Sequence, residues 1–211
     1  MKAPVSKPLR RGRPARSQQQ AEARRGLIIE AARKLFAAEG YEGVSMRKIA
    51  TMAECSPAAL YTLFPNKRQL LRYIWEEVFT ELIAELERAY RHNAEANRLQ
   101  ALCLVFMNFW LKRPDDYRAI FLIEDQLRDK DDRYFVDSAD VLPRLAIFRR
   151  CIMEAQARGE LRVGVADEMQ NILLCGIQGA VFNLITIPEY PWGEPDTLKQ
   201  AMVQTLIAGL R

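Results

Sequence analysis

Apolar residues recur at steps of three and four along most of this 211-residue chain, and this is the period of an amphipathic α-helix. The clearest case runs from Lys67 to about Tyr90. Its apolar positions are Leu70, Leu71, Ile74, Trp75, Val78, Leu82 and Leu86. Alternation of apolar and polar residues nowhere persists for a useful length. The pattern therefore predicts an all-α fold.

Further helices are predicted at about 97–112, from Pro114, and at roughly 137–158. Asp167 is placed to cap another helix, whose residues 172–187 are almost all apolar. A helix that is apolar all round is buried on every side. This one is too short and too polar for a membrane span. We expect one of its faces in the core of the domain and the other against a second copy of the chain.

Two short helices with strong start signals lie between residues 45 and 64. Ser45 is placed to cap a helix that can run to about Ala53. Ser56 is placed to cap the next, with Pro57 at the first helical position, where a missing N–H costs nothing. The three-residue turn between the helices is typical of a DNA-binding helix-turn-helix.

The second of these helices has an inner and an outer face. Leu60 and Phe64 are four residues apart and must face inward. The residues left outside, available to a DNA major groove, are Pro57, Ala58, Tyr61 and Thr62.

Basic residues also follow the helix starts, where acidic residues are normally favoured. Arg47 and Lys48 follow Ser45, and Lys67 and Arg68 follow Asn66. An anionic partner at these helix ends, such as a phosphate backbone, would remove the electrostatic penalty. The alternative is that these cations are merely solvated. The predicted DNA-binding set on the helices is Ser45, Arg47, Lys48, Ser56, Pro57, Ala58, Tyr61, Thr62 and Lys67.

The charge is divided unevenly along the chain. Residues 1–75 carry 15 Lys and Arg against 5 Asp and Glu, a net charge of +10, whereas residues 76–211 carry 16 against 22, a net charge of −6. A basic N-terminal third on an acidic body indicates a DNA-binding head on a domain that avoids DNA. We expect a disordered basic arm at 1–20, a DNA-binding domain at 22–82 with its helix-turn-helix at 45–64, and a helical effector-binding and dimerisation domain at 83–211.

The centre of the arm, Arg11-Gly12-Arg13-Pro14, resembles the core of an AT-hook, in which extended arginines enter a narrow A·T minor groove. On this interpretation Arg11 and Arg13 contact bases. The other interpretation is a nonspecific electrostatic tail.

Residues 24–73 as a whole resemble the DNA-binding domain of the TetR/AcrR family of transcriptional regulators. The stretch at 31–41 is similar to the family's first helix and its glycine stop, and Leu-Tyr-Thr-Leu-Phe-Pro-Asn-Lys-Arg-Gln-Leu-Leu at 60–71 to its most diagnostic segment. The chain departs from the pattern at three positions. Glu54 stands where a turn glycine is usual, Ala58 where glycine is common and Leu63 where histidine is common. We therefore expect Glu54 in a left-handed conformation.

This resemblance implies a cytoplasmic homodimer that binds double-stranded operator DNA, mostly a repressor that responds to a ligand and has an all-helical second domain. Tyr61 and Lys67 match positions that hold DNA phosphates in the family. Pro57, Ala58 and Thr62 match positions of its recognition helix.

The second domain offers candidate dimer and effector residues. The family's last two long helices form a four-helix dimer interface, and Gly176 and Gly179 would let another backbone approach closely; a core role for these glycines is the alternative. The predicted interface set is Leu145, Ile152, Ile172, Gly176, Gly179 and Asn183. An apolar effector pocket is predicted at Cys103, Phe106, Met107, Trp110, Phe121, Phe148 and Phe182, with Phe109 and Met153 beside it and Glu124 or Asp125 as a polar anchor. Glu124 and Asp125 are equally interpretable as a solvated helix end.

Enzymatic function is not indicated. The single histidine, His92, lies in a polar linker, and the sequence has no phosphate-binding glycine loop, metal-ligand cluster or nucleophile–histidine arrangement. We expect no cofactor and no metal. The four cysteines are far apart and indicate buried thiols in a reducing cytosol, not disulfides.

The sequence therefore predicts an effector-released homodimeric repressor. A DNA-binding regulator without a small-molecule ligand is one alternative. A ligand-binding or membrane-surface protein with a basic tail is a more distant one, because lipid binding requires no helix-turn-helix.

Overall fold

The structure is a computed structural model that describes residues 15–122 and 145–211. Regular structure within these ranges is entirely α-helical apart from one 3₁₀ turn at Glu95–Asn97, as the all-α prediction requires. The helices are α1 Ala15–Gly43, α2 Met46–Met52, α3 Pro57–Leu63, α4 Lys67–His92, α5 Arg98–Leu111, α6 Pro114–Phe121, α7 Ile147–Ala157, α8 Ala166–Thr186 and α9 Pro195–Ala208.

The head consists of α1, α2, α3 and the first turns of α4. Helix α1 breaks at Gly40, which has a φ of 72°, a left-handed conformation that glycine adopts readily. The chain therefore turns before α2, as the predicted glycine stop requires. The small core of the head is formed by buried side chains from all four helices, including Ile28, Ala32, Phe36, Ile49, Leu60, Phe64 and Leu70.

The body is a helical bundle with α5 at its centre. Helix α5 packs against α4, α6, α7, α8 and α9, and half of its fourteen residues are buried and apolar. Polar contacts hold the outer helices in place. The buried Lys199 on α9 bonds to Asn108 on α5, and Arg118 on α6 donates to the Ile185 carbonyl near the end of α8 at 3.0 Å. A cation at a helix C-terminus is favoured by the helix dipole.

Two connections join the head to the body. Helix α4 passes without interruption through both and, with 26 residues, is about 39 Å long. Helix α1 of the head also packs along α6 of the body. There the Arg33 side chain contacts Asp116 on α6 at 3.1 Å and Glu77 on α4 at 3.0 Å. The three helices α1, α4 and α6 are therefore tied at one point.

Helix α8 is predicted to bury one face in the core of the domain and the other against a second copy of the chain. Its inner residues Leu173, Ile177 and Val181 are fully buried, whereas Ile172 and Phe182 remain 51% and 41% exposed. By length and a mean hydropathy of 1.3 the helix could also cross a membrane, a test that core helices of soluble proteins pass as well. In the structure it packs against α5, α7 and α9.

Four sequence-based expectations on helix ends, the arm and the cysteines need correction. The predicted arm at 1–20 is too long, because α1 already begins at Ala15 in a run of helix-forming residues. Asp167 does not cap α8, which begins one residue earlier, and instead pairs with Arg149 at 2.9 Å. Cys175 is exposed and Cys55 half-buried, whereas Cys103 and Cys151 are buried as expected.

The environment of Asp116 generates a prediction on stability. Burial raises the pKa of this carboxyl, the Arg33 and Arg113 guanidinium groups oppose the rise, and Glu81 and Glu30 add to it. The folded protein therefore binds more protons than the unfolded chain just above the ordinary range of an aspartate pKa. Protonated Asp116 consequently adds to the free energy of unfolding at low pH. This contribution is lost as pH rises through the pKa of Asp116 in the folded state.

We expect an Asp116→Asn variant to lack this contribution to the pH dependence. In urea denaturation from acidic to neutral pH, the stability of the native sequence relative to Asp116→Asn should fall as pH rises. A difference that stays constant across the range would contradict the raised pKa.

Candidate functional site

The helix-turn-helix forms as its capping residues predict. The Ser45 hydroxyl accepts a hydrogen bond from the Lys48 N–H at 3.2 Å, and the Ser56 hydroxyl accepts one from the Ala59 N–H at the same distance. Both serines have extended backbone angles, as N-cap residues do. Pro57 occupies the first position of α3. Local capping chemistry alone therefore fixes where α2 and α3 begin.

The turn between the two helices is closed by the end of α2. The Cys55 N–H donates to the Ala50 carbonyl at 3.0 Å, and the Glu54 N–H donates to the Thr51 carbonyl at 3.2 Å. This pair of bonds is a Schellman motif, whose central residue is left-handed. Glu54 indeed has a φ of 50°, at a position where glycine would be unstrained. The predicted conformation is confirmed.

Helix α3 presents the predicted outer face. Leu60 is fully buried and Phe64, directly after the helix, nearly so. Pro57, Ala58, Tyr61 and Thr62 are all exposed, and the Tyr61 side chain keeps 48% of its surface. The Thr62 hydroxyl donates to the Ala58 carbonyl at 2.8 Å, so its methyl group and oxygen lone pairs remain on the surface. A small, shallow helix face with one tyrosine can enter a major groove.

The basic residues around α2 differ in their availability. Arg47 is exposed, and no ion pair involves it within 15–122 and 145–211. Lys48 is exposed as well, but its ammonium pairs with Glu39 of α1 at 2.5 Å. A phosphate that contacts Lys48 therefore competes with a carboxylate, whereas Arg47 is free to contact DNA.

Lys67 has a different place from the one predicted. Its ammonium donates to the Tyr41 carbonyl at 2.5 Å and the Val44 carbonyl at 2.9 Å, and it lies 4.0 Å from the Tyr41 ring centroid. These carbonyls follow the break of α1 at Gly40, where the regular hydrogen bonding of the helix ends; the Tyr41 carbonyl also accepts a long backbone bond from the Val44 N–H at 3.4 Å. The cation thus locks the start of α4 to the end of α1. Lys67 therefore has a structural role that the sequence did not predict, and its assignment as a phosphate contact stays a prediction.

Arg25 is a stabilising residue of the head that sequence reasoning missed. Its guanidinium lies 5.1 Å from the Tyr73 ring centroid and 5.7 Å from that of Phe64. This cation–π contact holds α1 over the end of α3. No spacing rule links residues so far apart in the chain. Arg11 and Arg13 of the predicted arm lie outside the described residues.

The predicted effector residues gather around α5. Cys103, Phe106, Met107, Trp110 and Phe148 are buried. The centroid of the Trp110 ring lies 5.8 Å from that of Phe79 on α4 and 5.1 Å from that of Phe121. The Phe106 and Phe148 ring centroids are 6.2 Å apart, and all three pairs pack edge to face. We call these seven residues the aromatic cluster. Burial raises the pKa of the Cys103 thiol, which is therefore unreactive at neutral pH.

Polar groups also border this cluster. Burial raises the pKa of Tyr117 on α6 to about 12, and its hydroxyl accepts a hydrogen bond from the Gln178 side chain of α8 at 3.1 Å. The Trp110 indole N–H has no hydrogen-bond partner in the part of the chain that the structure describes. The site is therefore apolar with a few directed polar groups, which is typical of small-molecule sites.

Two predicted pocket residues lie elsewhere. Phe182 is 41% exposed on the outer face of α8, and Met153 is 46% exposed on α7, because the helix rotation directs both away from α5. The candidate anchors Glu124 and Asp125 lie outside the described residues.

The predicted dimer residues also divide. Ile172 is exposed, and a Cβ added at Gly179 would meet open space. Together with Cys175 and Phe182, these residues form one line along α8, here called the α8 stripe, in which Gly179 is half-buried and the other three residues are exposed. Asn183 is half-exposed near its end.

Three interface assignments are not supported within the single chain. A Cβ at Gly176 would lie 2.6 Å from the Leu206 side chain of α9, so this glycine allows close packing inside one subunit. Ile152 is fully buried in the core, and the half-buried Leu145 packs against it. Consecutive residues of a helix point to different faces, so Gly176 faces α9 although its neighbour Cys175 is exposed.

Potential metal ligands lie apart from one another in the described part of the chain. Within residues 15–122 and 145–211, no group of three or more His, Cys, Asp or Glu side chains has the arrangement to hold a metal ion. The exposed His92 ends α4 and contacts the Arg88 carbonyl at 2.8 Å through its Nδ1.

Comparison with known proteins agrees with this arrangement. Residues 28–74 match the family described as bacterial regulatory proteins, tetR family. The uncharacterized HTH-type transcriptional regulator YhgD of Bacillus subtilis is 37% identical over 65 residues, which cover 31% of this chain and 32% of YhgD. The chain thus aligns with only about a third of that relative.

More distant relatives match the body as well. The fatty acid metabolism regulator protein of Bacillus subtilis is 23% identical over 150 residues, covering 71% of this chain and 76% of that protein. The crystal structure of the regulator FadR from Bacillus subtilis in complex with stearoyl-CoA has a TM-score of 0.73 and 18% identity, covering 88% of this chain and 99% of that one. At this identity the likeness concerns the fold.

Arg47 and Lys67 form a matched pair for testing the proposed DNA face. Each carries one positive charge close to α2, but only Lys67 is anchored internally. Arg47→Gln should therefore retain the native melting temperature and reduce the log–log salt slope of duplex-DNA binding by about 0.9 for each phosphate that a subunit no longer binds. Lys67→Gln should lower the melting temperature, because two carbonyls are deprived of a charged donor worth about 1.5–3 kcal/mol.

Binding titrations at several salt concentrations and thermal melts of both variants check this expectation. A Lys67→Gln protein with native stability and a reduced salt slope would restore Lys67 to the DNA contacts.

Proposed function

We propose that this chain, whose residues 28–74 match the tetR family of bacterial regulatory proteins, is a homodimeric transcriptional repressor released from operator DNA by a small apolar or amphipathic effector. The observation that carries the proposal is the union of two features on one helix. In the head, Lys67 at the start of α4 is hydrogen-bonded to the Tyr41 carbonyl. In the body, Phe79 of the same helix belongs to the aromatic cluster and packs on Trp110. An effector in the cluster can therefore act on the recognition helix.

DNA binding is supported by the outer face of α3 and by the charge of the head. Tyr61 and Thr62 are exposed on α3 and Arg47 is exposed on α2. The first 75 residues carry a net charge of +10. A duplex attracts such a head and is repelled by the acidic body. A membrane-surface role would require neither the two serine caps nor this outward tyrosine.

Dimerisation is supported by the α8 stripe and the neighbouring face of α9. The exposed stripe joins two large apolar side chains, Ile172 and Phe182, with the uncovered Gly179. On α9 the exposed residues include the small side chains Ala201, Thr205 and Ala208. Two copies of these helices would bury both faces, and a dimer places one head on each half of a two-fold symmetric operator.

An effector is supported by the character of the cluster and by the distant relatives. The FadR structure holds stearoyl-CoA, an amphipathic molecule with a long apolar chain. Insertion of such a chain beside Phe79 would displace α4 relative to α5. Because Lys67 transmits this shift to the head, the separation of the two recognition helices would change, and a ligand that favours another separation opposes DNA binding.

The effector mechanism has a direct test. A high-affinity duplex is first selected from random DNA, and its affinity is then measured with and without saturating stearoyl-CoA. Typical coupling of about 1–3 kcal/mol predicts binding that is roughly 5- to 150-fold weaker. A Cys103→Leu variant, which fills the cluster, should bind DNA normally and respond less. A ligand that binds in the cluster and leaves DNA affinity unchanged would favour the ligand-independent regulator instead.

Gly176 and Gly179 provide a matched test of the dimer. Gly176→Leu should lower the unfolding free energy by about 1–3 kcal/mol at any protein concentration, because it overfills the contact with Leu206. Gly179→Leu should leave the subunit fold intact but cause dissociation on dilution and loss of operator binding. Sedimentation and denaturation over a range of concentrations distinguish the two. A Gly179→Leu protein that remains dimeric at all concentrations would place the interface elsewhere.

A further inference from the structure

A groove lies between the C-terminal half of α4 and helix α7, on the side of α7 that faces away from α5. Its volume is about 660 Å³, within the range of small-molecule sites. Ile147 and Met153 line it with apolar surface, and Arg149, Arg150, Glu87 and Glu154 line it with charge. The proposed function so far assigns no role to this groove.

Arg150 is held rigidly at the edge of the groove. Its guanidinium lies 4.0 Å from the centroid of the Tyr90 ring, and Arg98 lies over the same ring at 4.5 Å. The Tyr90 hydroxyl donates to Glu154 at 2.6 Å, which fixes the ring in place. A stacked guanidinium keeps its N–H groups at its rim, where they can donate in the plane. Little conformational entropy is then lost when an anion binds.

The other charges of the groove are already neutralised. Arg149 pairs with Asp167 at 2.9 Å, and Glu87 pairs with Arg91 at 3.6 Å. Glu154 accepts the Tyr90 bond and lies 3.5 Å from Arg98. No carboxylate forms an ion pair with Arg150 among residues 15–122 and 145–211. Arg150 is therefore the charged side chain of the groove that keeps its guanidinium available to an anion.

The groove and the aromatic cluster adjoin at the start of α7. Ile147 lines the groove and is itself buried, and the next residue, Phe148, packs on Phe106 inside the cluster. Arg149 and Arg150 follow directly and point outward. One helical turn thus separates an apolar interior from a cationic rim.

We propose that this groove holds the anionic head group of the effector, with Arg150 as its charge contact and the apolar chain directed past Ile147 toward the aromatic cluster. The inference rests on the proposed function and narrows its ligand to anionic amphipaths. A carboxylate and a phosphate ester share the chemistry that a guanidinium recognises.

The test measures direct binding to the full-length protein without DNA. The probes are dodecanoate, dodecanoyl-CoA and the neutral dodecanol, and the variants are Arg150→Gln, Arg150→Lys and the control Arg88→Gln. Arg88, on α4, is exposed like Arg150 but does not line the groove. Thermal melts establish that each variant is folded.

We expect Arg150→Gln to weaken binding of the anionic probes about tenfold or more, and dodecanol binding to stay unchanged. Arg150→Lys should recover part of the loss, and Arg88→Gln should bind like the native protein. If Arg150→Gln loses affinity only for dodecanoyl-CoA, the groove recognises a phosphate head group. If it loses affinity equally for dodecanoate, the groove accepts a carboxylate as well.

Native affinity of Arg150→Gln for both anionic probes would overturn the inference, as would the failure of every probe to bind the native protein. Arg150-dependent binding that leaves operator affinity unchanged would support the groove and refute the inducer mechanism, so the two proposals fail separately.

Discussion

Both halves of the molecule rely on the rigid attachment of α4. Helix α4, with 26 residues, spans both halves, but it transmits position only if it is held in each of them. Lys67 holds one end, because its ammonium donates to the Tyr41 and Val44 carbonyls, which follow the break of α1 at Gly40. The contacts of Arg33 with Glu77 and Asp116 hold its middle against α1 and α6.

The junction at Asp116 illustrates why such a joint need not add much stability. Burying a carboxylate costs solvation free energy, and the raised pKa of Asp116 indicates that its two arginine neighbours do not fully compensate for this cost. The benefit is geometric, because an ion pair between three helices fixes their relative orientation where apolar contacts would allow sliding. The head is thereby kept in a defined position on the body.

Similarity to other proteins decreases from the head toward the body. Identity with YhgD reaches 37% but is confined to 65 residues, whereas the match to FadR covers nearly the whole fold at 18%. The difference follows from the physics of the two parts. Helix caps and a tight turn restrict which residues can form the head, whereas the body requires only helices that bury an apolar face, which many different sequences can supply.

Local features could be predicted from the sequence alone: the all-α class, the two serine caps, the left-handed Glu54 and the division of α3 into Leu60 inside and Tyr61 outside. These depend on interactions within about four residues, so spacing and residue type suffice to predict them. Other features required the folded chain. Lys67 bonds to residues 23 and 26 positions earlier, and Gly176 meets Leu206. Ile152 turns inward and Phe182 outward, because the orientation of a helix about its own axis depends on which neighbours it packs against. No periodic pattern contains that information, since these contacts form only when distant segments of the chain are brought together.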